Sequence, residues 1–133
     1  MNYIYNRKGV NAFQEVSYMD EQGKQDLGTT DTGIQPNVAA LLAYLLFFIT
    51  GLVFILIEKK NRFVRFHALQ SIIVFGSIFV IQWVLSFLPG LGALLSGLLS
   101  LISVALWVVL MVKAYQKEYF KLPWAGELAE KNL

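Results

Sequence analysis

The chain has no cysteine, one histidine and only three prolines in 133 residues, and charged side chains make up just 15% of it. Without cysteine there is no disulfide framework, no thiol nucleophile, no cysteine-based zinc site and no attachment point for a prenyl, palmitoyl or lipoprotein chain. The lone His67 has no carboxylate within any apolar stretch, so neither an acid/base pair nor a proton relay can be assembled there. A Ser/His protease pair would need His67 level with Ser96 or Ser100, yet His67 opens one span at its inner end and Ser96, near the start of the returning span, lies toward the outer half. Gly90-Leu91-Gly92 lacks the third glycine and the preceding strand of a nucleotide loop. A formal net charge of +2 is too small to mark a nucleic-acid partner. These absences point to a non-enzymatic chain with no catalytic residue, no cofactor and no metal.

Apolar residues, by contrast, are abundant. They reach 56% of the chain, against roughly 45–50%, glycine included, in an ordinary soluble domain. They are also segregated: no Asp, Glu, Lys or Arg occurs from Thr32 to Ile57 or from Phe66 to Val112. A soluble helix keeps a charged face, and helices cut from these stretches have none. The expected fold class is therefore an all-α integral membrane protein.

Three spans are expected within a membrane domain over residues 34–131. Pro36 and Asn37 mark the start of the first, with Asn37 as a plausible N-cap. Residues 38–57 then run twenty positions without a charge, about 30 Å of helix, the thickness of a hydrocarbon core. Leu88-Pro89-Gly90 divides the longer uncharged stretch into spans 68–88 and 91–112. Ahead of them, residues 1–33 read as a flexible polar tail. Its first eight residues carry basic groups but no apolar run, so they are not a secretory signal. Phe13, Val16 and Met19 fall at helical spacing, which allows a short amphipathic helix over 10–19.

Lys and Arg set the expected orientation. Lys59, Lys60, Arg62 and Arg65 crowd the first connection, and Lys113, Lys117, Lys121 and Lys131 the tail 113–133, while acids outnumber bases before residue 38. The expectation is a multi-pass protein of the cell membrane, N-terminus outside and C-terminus cytoplasmic. In the tail, the i+4 row Lys113, Lys117 and Lys121, together with Tyr115, Tyr119, Phe120 and Trp124, suits the headgroup layer, and Pro123 and Gly126 are expected to break helix.

Two constellations are candidates for contact. In the third span Gly92, Ser96 and Ser100 recur every fourth residue beside Ala93 and Gly97; small residues let helices approach where lipid supplies no hydrophobic drive. This ridge is expected to pack on another helix of the chain or on a second copy, with Ala39 and Ala43 as a possible facing surface. At the start of the second span His67, Gln70 and Ser71 share an arc of roughly 100°. With Arg62 and Arg65, the latter free to snorkel, this stripe either meets a lipid headgroup, peptide or ion, or satisfies partners on a neighbouring helix. Asn61 is a plausible cap for that helix.

The run Glu58-Lys59-x-Asn61-x-Phe63-Val64-Arg65-Phe66-His67-Ala68-x-Gln70-Ser71, with Lys113-Ala114-Tyr115 and Lys121-Leu122-Pro123-x-x-Gly126-x-x-Ala129-Glu130, resembles a family of small uncharacterised bacterial and archaeal membrane proteins. That family is grouped distantly with the membrane subunit of the chloroplast inner-envelope (Tic) import translocon. The resemblance covers about residues 34–131 and implies an all-helical membrane protein with its signature between the first two spans. The functional expectation is an accessory or scaffold subunit of a membrane assembly, in contact with lipid and with itself or other membrane proteins, with a link to protein insertion or translocation. The alternatives are an oligomeric channel or transporter and an anionic-lipid-binding membrane-stress protein.

Overall fold

The computed structural model describes residues 27–133. The expected tail over residues 1–26, its helix over 10–19 included, lies outside the described residues. Five helices follow: α1 (Pro36–Leu45), α2 (Phe48–Ile57), α3 (Arg62–Leu85), α4 (Leu91–Tyr115) and α5 (Ala125–Lys131). Only α3 and α4 are long and apolar enough to cross a membrane, and most of each is exposed rather than packed inside the chain.

The expected first span is therefore corrected from one crossing helix to two ten-residue helices. Phe47, at φ 57° and ψ −123°, takes a left-handed conformation that ends α1, and α2 turns back. The reversal follows from what meets at the two ends. Asp31, five residues before α1, donates its N–H to the Glu58 carboxylate just after α2 at 2.9 Å. Asn61 donates its side-chain amide to the carbonyls of Leu27 and Thr29 at 2.8 and 3.1 Å. Each arm is about 15 Å long, half a hydrocarbon core. The tip lies against the middle of α3, where the Phe47 ring meets Phe75 and the Phe48 ring meets Phe79, both at 5.4 Å between centroids. The result is a helical hairpin whose two ends meet at one end of the bundle.

A break at membrane depth frees backbone groups that lipid cannot satisfy. Side chains take them up here. The Ser71 hydroxyl lies 2.6 Å from the Phe47 carbonyl and 3.0 Å from that of Ala43, Thr50 donates to Ala43 at 3.1 Å and accepts from the Leu46 N–H, and the Trp107 indole donates to Tyr44 at 2.7 Å. Small residues let the arms close on α3. Ala39, Ala43 and Ala68 are fully buried with Val64 and Phe54. A Cβ on Gly51 would sit 2.7 Å from the Ser71 hydroxyl and 2.9 Å from the Ala68 carbonyl oxygen. In lipid such contacts stabilise by dispersion and hydrogen bonding rather than by exclusion of water.

Two further corrections concern the ends. Asn37 does not cap α1, which starts at Pro36 after an uncapped Gln35; it donates instead to the Tyr115 carbonyl at 3.1 Å, tying the start of α1 to the end of α4. Residues 27–33, read as loose tail, are fastened to the 58–61 loop. The start of the described chain, the basic loop and the end of α4 thus share one end of the bundle. That shared end is called inner here, and the Pro89-Gly90 turn marks the outer end.

Candidate functional site

Asn61 is where the inner end begins. Its Oδ1 accepts the Val64 N–H at 3.1 Å and caps α3, as its position before the apolar run suggested. One turn on, α3 presents His67 and Gln70, both fully buried, to two partners at once. On one side is Tyr44 of α1, whose hydroxyl lies 2.8 Å from His67 Nδ1 and accepts from Gln70 Nε2 at 3.1 Å. On the other is the extended stretch 118–122, which leaves α4 and runs back across α3. His67 Nε2 lies 2.9 Å from the Glu118 carbonyl, Gln70 donates to the Phe120 carbonyl at 2.9 Å, and the Leu122 N–H donates to Gln70 Oε1 at 3.2 Å. Phe63 and Phe66 stack edge-on or tilted against Tyr119 beside this strap.

Each candidate residue of the stripe is thereby placed. His67, Gln70 and Ser71 are brought together but face inward, and none is open to a headgroup, peptide or ion. Arg65 does not snorkel: its Nη1 donates to the carbonyls of Glu58 at 2.8 Å and Ile55 at 3.4 Å, closing the end of α2. Arg62 alone of the set is exposed, at the first position of α3. Among the described residues no buried side-chain nitrogen or oxygen lacks a hydrogen-bond partner.

Sequence reasoning missed Tyr44, Trp107, Asp31 and Glu58. Tyr44 was findable as the one polar-tipped ring in an otherwise apolar run. Glu58 is fully buried, and its carboxylate accepts N–H groups from Asp31, Lys60 and Asn61. Asp31 returns the contact by accepting from the N–H groups of Lys59 and Lys60 at 2.7 and 3.2 Å. The Lys59 N–H, more than any other group, holds the Asp31 carboxyl below the usual carboxylate range.

The tail is also corrected. α4 ends at Tyr115 and Lys117 turns to φ 65°, so the i+4 lysine row does not form. Lys113 pairs with Glu118 at 3.1 Å, and Lys121 with Glu130 at 2.7 Å, which holds the Glu130 carboxyl down. Burial pushes the Tyr119 phenol up, with Arg62 opposing. Gly126 lies inside α5 rather than breaking it, because a Cβ there would meet Lys121 at 2.7 Å and Gln70 Oε1 at 2.8 Å.

The small ridge of α4 divides. Ser96 and Ser100 face α3: Gln82 donates to Ser100 Oγ at 2.9 Å, and Ser96 Oγ donates to Gln82 Oε1. Gly92 is buried where a Cβ would overlap the Leu85 carbonyl, so it closes the α3–α4 turn. Ala93 and Gly97 are exposed, with nothing near the Gly97 Cβ position. Ala39 and Ala43 pack on α2 and α3, not on this ridge.

The sequence pattern of the MamF/MmsF magnetosome magnetite crystal formation protein family matches residues 34–129. The chain belongs to that family. It is 47% identical over 104 residues to a UPF0132 membrane protein of Methanocaldococcus jannaschii, covering 78% of this chain and 94% of that protein. A UPF0132 membrane protein of Archaeoglobus fulgidus is 45% identical over 100 residues, 75% of this chain and 97% of its own length. A second M. jannaschii UPF0132 membrane protein is 42% identical over 99 residues, 74% and 71%. No solved structure matches the chain. The expected small prokaryotic membrane family stands. The matches carry no link to the Tic translocon. With relatives named as membrane proteins and two helices able to span, this family member is a small helical membrane protein.

Proposed function

We propose that this family member is a non-enzymatic scaffold subunit of a membrane assembly, acting through its surfaces. The observation that carries this reading is the complete internal pairing of the His67, Gln70 and Ser71 stripe. The most distinctive motif of the chain holds its own hairpin and strap, and what remains for partners is lipid-facing helix and a charged end. The described residues include no group of three or more His, Asp or Glu side chains placed to hold a metal ion. The proposal takes from the family its membrane setting.

The orientation in this reading follows the positive-inside rule applied to the folded ends. Every charged residue after Asp31 belongs to segments 58–65 and 113–131 at the inner end, and residues 66–112 carry none. The basic end lies in the cytoplasm, and residue 27 lies there with it.

A photo-reactive residue at Leu101, 71% exposed on the outer half of α4, tests the scaffold reading in native membranes. Adducts with a second copy or another polypeptide are expected. Lipid adducts alone, from position 101 and from Lys60 at the charged end, would contradict it.

A further inference from the structure

We propose that the chain is a membrane wedge, and that the surface it fits is a bilayer curved convex towards its charged end. The inference rests on the membrane placement above and goes beyond it.

Its basis is a mismatch in width along the bundle. At the depth of Tyr44 and His67, α1, α2, α3 and α4 lie side by side. The strap and α5 add to this end, with Ala125, Gly126 and Ala129 of α5 buried and Trp124 and Leu128 exposed. Beyond the hairpin tip, among the helices of the described residues, only α3 and α4 continue. With a helix diameter of about 10–12 Å, each extra helix takes roughly 100 Å² of leaflet, so the hairpin alone adds about 200 Å² on the inner side. The wide half resists compression: its alanines and Gly51 are already at contact distance, and its polar groups are paired. Among the described residues the narrow half has no second layer of helix. None of α3 beyond Phe75 is buried, and Gln82 with Ser96 and Ser100 is the polar link between its two helices. A cleft of about 260 Å³ at the tip, lined by Phe47, Phe48, Phe75, Phe79 and Val104, marks the step between the halves.

An inclusion that displaces more lipid from one leaflet than from the other relaxes the bilayer by bending it convex on the wide side. By the same coupling, the protein concentrates where that curvature already exists.

The test uses the full chain, fluorescently labelled, in giant vesicles of phosphatidylcholine and phosphatidylglycerol from which narrow tubes are pulled. Protease accessibility of the charged end assigns orientation. Molecules with that end on the outer, convex surface should be enriched by about twofold or more on the tubes, as expected of a curvature-sensitive insertion, and molecules of opposite orientation depleted. Equal density on tube and flat membrane, or enrichment of the opposite orientation, overturns the proposal. A spin label at Leu46→Cys, at the hairpin tip, is read in parallel for depth. A tip at the bilayer centre without sorting defeats the wedge alone, whereas a tip at the far surface defeats the membrane placement as well.

Discussion

From Arg62 to Phe75, α3 buries nine side chains, His67, Gln70 and Ser71 among them; from Gly76 to Leu85 it buries none. Both halves are continuous helix in one lipid environment, so the difference lies in what stands beside them. The inner half is flanked by a hairpin whose broken backbone must be satisfied, and polar side chains on α3 and α4 do this. The outer half borders lipid, which asks nothing of a helix but apolar surface. In the inner half, the buried polar side chains of α3 and α4 serve irregular backbone.

Several substitutions would break or sharpen that contrast, measured by reversible unfolding in detergent micelles. The largest effect is expected from Gly51→Leu, which forces a side chain against the Ala68 carbonyl and Ser71 and should cost about 3 kcal/mol or more. Next is Ser71→Ala, which leaves the Phe47 carbonyl without its hydroxyl donor and should cost about 1–2 kcal/mol. Gln82→Leu in the outer half removes the link to Ser96 and Ser100 and should cost only about 0.6 kcal/mol, a typical value for an interhelical hydrogen bond in lipid. A larger loss for Gln82→Leu than for Ser71→Ala would reverse the contrast.

The smallest expected effect is local and depends on pH. Because the folded Asp31 carboxyl titrates below its ordinary 3.8, its grip on the N–H groups of Lys59 and Lys60 is fully present above that pH and is lost as pH falls through the lower folded value. Amide protection factors, corrected for the intrinsic slowing of exchange towards acid, should fall at Lys59 and Lys60 under acid, and Asp31→Asn should remove that dependence.

Much of this was legible in the sequence, for identifiable reasons. The charge-free runs, the Pro89-Gly90 turn and the Asn61 cap are local signals, and α3 and α4 follow from them. The hairpin does not. Its break falls at Leu46-Phe47, two residues with no preference for ending a helix, while the Thr50-Gly51 pair that betrays an interruption lies one turn later. What holds the break are Ser71 and Trp107, 24 and 63 positions from the carbonyls they serve. Charge counting placed the segment before Pro36 opposite the basic loop because a twenty-residue apolar run reads as one crossing, whereas residues 27–33 pack against the 58–61 loop. The stripe of His67, Gln70 and Ser71 was visible, and in-chain partners were among its expected readings, but those partners, a bare tyrosine hydroxyl and the backbone of a strap, leave no periodic trace.

In the proposed placement the chain enters and leaves its first apolar segment on one side. Since the protein has no native thiol, single cysteines at Gln35, Lys60 and Phe87, treated with a membrane-impermeant maleimide in sealed vesicles of known orientation, test it directly. Positions 35 and 60 should react from the same side and position 87 from the other. Reaction of position 35 together with position 87, opposite position 60, would mean that residues 36–57 cross the membrane, and the re-entrant hairpin would fall.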